Sequence, residues 1–140
     1  MPTELLVLDT HIWIWLLNGE GEKISVSALE AIEAASFNGQ LGVSAISVWE
    51  VGMLEAKGRI RFSKVCLDWV REALAAPGLR LLPLTPEIAI ESSRLPGMLH
   101  GDPSDRILAA TTRILNAKLV TCDKKLLAYG AQSFISVIQG

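Results

Sequence analysis

Short unbroken apolar runs recur along this chain, and segments with helical signals separate them. Leu5 to Leu8 stops at Asp9, Leu41 to Ala45 follows the turn Asn38-Gly39, and Leu79 to Leu84, Leu119 to Thr121 and Phe134 to Ile138 come later. A continuous rather than alternating apolar run predicts a strand buried on both faces. Asp9-Thr10 can cap a helix beginning near His11. The next helix is expected over Ser27 to Phe37, opened by Ser27 with Glu30 three positions on and closed by Gly39. Another runs from Ser47 to Lys57 and stops at Gly58. Lys64 to Ala75 turns Val65, Leu67, Trp69, Val70 and Leu74 largely inward and ends at Pro77-Gly78. Thr85-Pro86 opens a short helix, Asp102-Pro103 opens a longer one to about Asn116, and a last helix ends at Gly130. Strands alternating with helices predict an α/β fold: a largely parallel central sheet flanked by helices on both faces, with right-handed crossovers.

The length, 140 residues, suits one domain over 1–140, and neither an internal repeat nor a linker divides it. Half of the residues are hydrophobic and 20% are charged, which excludes a disordered chain. A net charge of −2 argues against a basic-coated protein that binds nucleic acid indiscriminately, although it permits a local basic patch such as Lys57, Arg59, Arg61 and Lys64. Met1-Pro2-Thr3-Glu4 opens no export signal, and the longest strictly apolar run, Ile12 to Leu17, is far too short to span a membrane. A cytoplasmic protein is expected. Cys66 and Cys122 have no zinc-ligand spacing and are read as reduced thiols. The positive mean hydropathy, +0.36, predicts a subunit or partner interface.

In an open parallel sheet the ligand crevice lies beyond the carboxyl ends of the strands. Asp9 sits at such an end, and Glu50 lies in the first turn of the helix after the Leu41 to Ala45 strand. Asp105 is in the first turn of a helix of about 12 residues, roughly 18 Å long, and the following strand retraces a comparable distance to deliver Asp123. All four acids are therefore predicted to meet at one edge. Such crowding is costly unless protons or cations neutralise it. All-oxygen ligation without cysteine or paired histidine suits magnesium or manganese, which also bind phosphate oxygens and lower the pKa of a bound water. A phosphodiester substrate follows.

The segments Leu6-Val7-Leu8-Asp9-Thr10-His11, Ser44-Ala45-Ile46-Ser47-Val48-Trp49-Glu50-Val51, His100-Gly101-Asp102-Pro103-Ser104-Asp105-Arg106 and Val120-Thr121-Cys122-Asp123 together resemble those of PIN-domain nucleases, specifically the VapC-like toxins of bacterial type II toxin–antitoxin pairs. The resemblance spans nearly the whole chain. It implies a ribonuclease with Mg2+ or Mn2+, a homodimer, and inhibition by a small antitoxin that inserts a segment near the active site. Ser104 departs from the pattern, standing where relatives often carry an aromatic residue.

Each residue also has a plainer reading. Asp9 and Asp123 can be helix caps, and Ser47-x-x-Glu50 reads as a capping box. Asp102, placed before Pro103, is the better cap and leaves Asp105 free for the metal. Thr10 and Thr121 can hold the carboxylates or waters in place, or be ordinary strand-end threonines. Arg106 can stabilise phosphate but fits a structural ion pair better, and His11 and His100 read as hydrogen-bonding residues. Trp13, Trp15, Trp49 and Trp69 are expected to pack in the core or an interface rather than stack on bases. Two rival functions remain: a haloacid-dehalogenase-like phosphohydrolase with Asp9 as nucleophile, against which stands His11 where a second aspartate is expected, and a noncatalytic interaction domain on the same scaffold.

Overall fold

The computed structural model describes residues 4–99 and 101–140; the readings made of Met1-Pro2-Thr3 and of His100 lie outside them. Strands β1 (Leu6–Leu8), β2 (Leu41–Ser44), β3 (Leu79–Leu82), β4 (Lys118–Thr121) and β5 (Ser136–Gln139) form a sheet in the order β3-β2-β1-β4-β5. Every pairing is parallel, with Leu6 level with Leu41 on one side and Lys118 on the other. Among the described residues seven α-helices surround it: α1 (Thr10–Leu17), α2 (Val26–Phe37), α3 (Ala45–Ala56), α4 (Cys66–Leu74), α5 (Pro86–Ser93), α6 (Pro103–Ile114) and α7 (Lys124–Ala131).

The period of two along β1 divides the core. Leu6 and Leu8 face a cluster with Ile12, Trp13, Ile32, Val43 and Trp69, while Val7 points to the other side with Leu108, Leu119, Leu126 and Tyr129. Both faces are covered, which is why the central strands lack polar alternation. The chain builds outward from β1 through β2 to β3, then crosses to β4 on the other side of β1. The carboxyl ends of β1 and β4 thus flank the topological switch point, where open α/β sheets bind ligands.

Several boundaries differ from the sequence reading. Ser25, not Ser27, caps α2, accepting from the Ala28 N–H at 3.1 Å; that phase turns Ala28, Ile32 and Ala35 into the core. Ser44, the last residue of β2, caps α3 through the Ile46 N–H, so the helix starts before Ser47 and there is no Ser47–Glu50 capping box. In α4, Trp69, Val70 and Ala73 form the buried stripe, whereas Val65 and Leu67 are exposed. Leu67 lies two residues from Trp69, about 200° around the helix, and cannot share its face. Pro83 has no N–H to extend the ladder, so β3 ends at Leu82. The turn at Pro77-Gly78 is as read: Gly78 has φ +80°, and a Cβ there would lie 1.9 Å from the Ser36 carbonyl oxygen. Phe134 packs against Tyr129 instead of opening β5. Among the described residues no helix is long and apolar enough to cross a membrane.

Candidate active site

Asp9 follows β1 and caps α1, its Oδ1 accepting from the Thr10 N–H at 2.7 Å. Its Oδ2 accepts from the Thr121 hydroxyl at 2.7 Å. Capping and a place in the site are therefore compatible. Asp123 likewise caps α7, with Oδ1 accepting from the N–H groups of Lys125 and Leu126. Thr121, fully buried at the end of β4, connects the two acids, because its oxygen also accepts from the Asp123 N–H at 3.0 Å.

Thr10 performs a similar task for Glu50. Its hydroxyl lies 2.6 Å from Glu50 Oε1 and 2.9 Å from Ser47 Oγ. Having one proton, Thr10 donates it to the carboxylate and accepts from Ser47. Ser47, read from sequence as a helix cap, is instead buried beside this pair. Glu50 lies in the second turn of α3 rather than the first.

Asp105 stands in the first turn of α6, and Asp102 is the cap, its Oδ1 accepting from the Asp105 N–H at 3.0 Å and the Ser104 hydroxyl at 2.8 Å. The cap is the one read from Asp102-Pro103. The backbone of Gly101 passes so close to Asp105 that a Cβ there would fall 2.6 Å from the Asp105 Cβ. A larger residue would push the carboxylate aside.

The four sequence-identified acids line one cleft of about 640 Å3, together with Asp102, Trp15, Trp49, Lys57, Arg59 and Lys125. Lys57 and Arg59 belong to the basic stretch that the sequence offers for an RNA backbone or an acidic partner, whereas nothing local marks Lys125 for a cleft rather than a solvated face. Arg106 is elsewhere. Its guanidinium donates to the carbonyls of Ser92 and Leu99, anchoring the segment between α5 and α6, and it forms no ion pair among the described residues.

Desolvation is the largest influence on all of the raised acids. It pushes Asp9 above the ordinary carboxylate range despite the hydrogen bonds from Thr121 and Thr10, and raises Glu50 despite the bond from Thr10. Asp105 is pushed up to about 7 by desolvation and then by the charges of Asp102, Asp123, Asp9 and Glu50. Asp102 is also desolvated, but its hydrogen bonds from Asp105 and Ser104 hold it low. The acids therefore sense one another's charge. As they stand, however, no three His, Cys, Asp or Glu side chains among the described residues enclose a single ion position. Asp9, Glu50 and Asp123 are directed onto protein donors.

This arrangement has a consequence for stability. A carboxylic acid whose folded pKa exceeds its unfolded value stabilises the fold below the unfolded pKa and loses that contribution as pH rises through the folded pKa. For Asp105 the window runs from the ordinary 3.8 to about 7. Thermal melts in chelator should give a lower Tm at about pH 8 than at about pH 5, and Mn2+ should recover more at the higher pH, where the acids are ionised. A higher Tm in chelator at the higher pH would contradict the crowding of these acids.

A family model described as "PIN domain" matches residues 6–131. This chain belongs to the PIN-domain family. The chain is 34% identical over 121 residues to Ribonuclease VapC22 of Mycobacterium tuberculosis, a match covering 86% of this chain and 88% of that protein. The PIN fold also superposes on VapBC2 from Rickettsia felis bound to a DNA fragment from its promoter, with a TM-score of 0.68, 16% identity and coverage of 96% of this chain and 97% of that one. A toxin–antitoxin complex from Klebsiella pneumoniae gives 0.63 and 21%, with 96% of each chain covered. At these identities the structures speak for the fold alone. All four acids fall within the matched PIN segment.

Proposed function

We propose that this chain is an endoribonuclease that acts as the toxin of a toxin–antitoxin pair and hydrolyses RNA phosphodiester bonds with Mg2+ or Mn2+. The observation that carries the reading is the placement of Asp9, Glu50, Asp105 and Asp123 in one cleft at the carboxyl ends of β1 and β4. The 34% identity to a protein named as a ribonuclease supports RNA as the substrate. The donor chemistry fits a hard cation: among the described residues the cleft offers carboxylate oxygens, one histidine in His11, and a Cys122 thiol that desolvation holds in its neutral form.

Asp9 and Asp105 are assigned the principal ion, with Glu50 and Asp123 completing the acidic pocket. Such an ion supplies Lewis-acid polarisation of the phosphate and a more acidic water. The chain's own residues do the rest. Thr10 and Thr121 fix the carboxylates of Glu50 and Asp9, and buried Ser104 helps hold the Asp102 cap that starts α6 beneath Asp105. Asp9 as a covalent nucleophile is disfavoured, since it is 8% exposed and both of its oxygens accept hydrogen bonds.

The related complexes with antitoxins support a small protein partner for this chain, and we assign it a cytoplasmic homodimer acting as one domain. A second, apolar groove, lined by Trp13, Leu16, Leu17, Leu29, Phe37 and Leu79, offers a surface for that partner. Phe37 at its edge is 91% exposed, and the buried Trp13 Nε1 meets no acceptor among the described residues. The test of the central reading is cleavage of total RNA by the purified protein in Mn2+, with and without excess chelator, beside single-stranded DNA. We expect RNA fragments only when the metal is available. Intact RNA in Mn2+, or equal cleavage in chelator, would refute it.

A further inference from the structure

The sequence suggests that Trp49 packs into a core or interface, yet its side chain is 54% exposed at the cleft, next to Glu50 on α3. Exposing so much of an indole forgoes burial worth about 2 kcal/mol or more, so the position needs a reason. Among the described residues no aromatic ring or cation is stacked on it, whereas Trp15, on another wall of the same cleft, is already engaged by His11 and by Lys23 at 5.6 Å from its centroid.

Trp49, Met53 and Lys57 recur at a spacing of four and so form a stripe along α3, about 12 Å from first to last. The stripe leads from the acids to Lys57 and Arg59, both exposed and both lining the cleft. The cleft therefore has an acidic end, which Lys125 only partly offsets, and a cationic end at Lys57 and Arg59, and the unoccupied indole of Trp49 starts the stripe beside the acids. A polyanion is repelled at the first end unless an ion is bound there and attracted at the second. A paired base has both faces stacked within its helix; an unpaired base has a face to offer, and base–aromatic stacking is indifferent to sequence.

Building on the ribonuclease reading, we propose that Trp49 is a base platform: an unpaired nucleobase flanking the bond to be cut stacks on its indole, while Lys57 and Arg59 hold a neighbouring phosphate. Trp49 is then a positioning residue that selects unpaired RNA.

The test uses the full-length protein in Mn2+ with a random-sequence pool of short unpaired oligoribonucleotides as substrate, and a ribose-phosphate oligomer of the same length without bases as competitor. Trp49→Ala should raise KM by about 5- to 100-fold, Trp49→Phe should recover most of that loss, and inhibition by the baseless competitor should be unchanged. The midpoint of the Mn2+ titration and the mass in solution should also be unchanged. A wild-type KM in Trp49→Ala would overturn the assignment, and so would equal weakening of the baseless competitor. Dissociation of an oligomer in the Ala variant would overturn it in favour of an interface between copies of the chain. These outcomes leave the ribonuclease reading standing. Failure of the wild-type protein to cleave the pool would remove both.

Discussion

Asp105→Asn is expected to lower RNA cleavage by on the order of 10^2- to 10^3-fold while making the metal-free protein more stable at about pH 8. The two effects have one cause. Asp105 is half-buried and surrounded by Asp102, Asp123, Asp9 and Glu50, which together with desolvation push its carboxyl up to about 7. Above that pH the folded chain holds a charge that it holds reluctantly. An isosteric amide removes the repulsion and keeps the shape. Because the group is only partly buried and sits in the first turn of α6, where a helix N-terminus favours negative charge, the gain should be discounted to roughly 1–2 kcal/mol, a Tm rise of a few degrees. The gain should be smaller at about pH 5 and should vanish only below the ordinary 3.8, where the carboxyl is neutral in the folded and the unfolded chain alike.

The proposed activity requires the opposite. A neutral amide is a weak ligand for a hard cation, so the electrostatic contribution of Asp105 is lost when the substrate's charge must be balanced. Cleavage in Mn2+ and melts in chelator, on the same two proteins at both pH values, provide the check. A variant that is both inactive and less stable at the higher pH would mean Asp105 is a structural residue. One that cleaves normally would mean that the ion sits elsewhere.

The parts of this site that were legible in the sequence are those set by local signals. Asp9 is visible because an apolar run ends there, and Asp105 because Asp102-Pro103 fixes where α6 starts and how far β4 must return to reach Asp123. The alternation of strands and helices carried the parallel pairing, but not the strand order. What was hidden depends on rotation about a helix axis or on choices between equivalent caps. Ser25 and Ser27 are equally good caps on paper, and only the packing of Ala28, Ile32 and Ala35 decides between them. The same ambiguity moved α3 by two residues, turning Ser47 from a cap into the neighbour of Thr10. Val65 and Leu67 look apolar enough to be inside, but Val65 is the cap just outside α4 and the phase set by Trp69 and Val70 turns Leu67 into solvent. Arg106 donates to carbonyls at the end of α5 and in the segment that follows it, which no local pattern locates.

Thr121→Val is the sharper test of how the acids are held, because it leaves the charge unchanged and keeps the branched shape while removing the hydroxyl. The hydroxyl donates to Asp9 Oδ2 at 2.7 Å and accepts from the Asp123 N–H at 3.0 Å, in a position with no exposed surface. Removing it leaves a buried carboxylate oxygen and a backbone N–H without partners, at a cost of about 1–3 kcal/mol. It also frees Asp9 to rotate, and loss of such supporting hydrogen bonds at a metal site typically costs 10- to 100-fold in affinity or activity. We therefore expect a Tm several degrees lower, a Mn2+ titration midpoint shifted upward, and cleavage reduced by roughly 10- to 100-fold. Thr121→Ser keeps the hydroxyl and loses only a methyl group, so it should recover the metal midpoint even where it does not recover all of the stability. If Val and Ser behaved alike in both metal affinity and cleavage, the hydroxyl would be dispensable and Asp9 would be oriented by its cap to Thr10 alone.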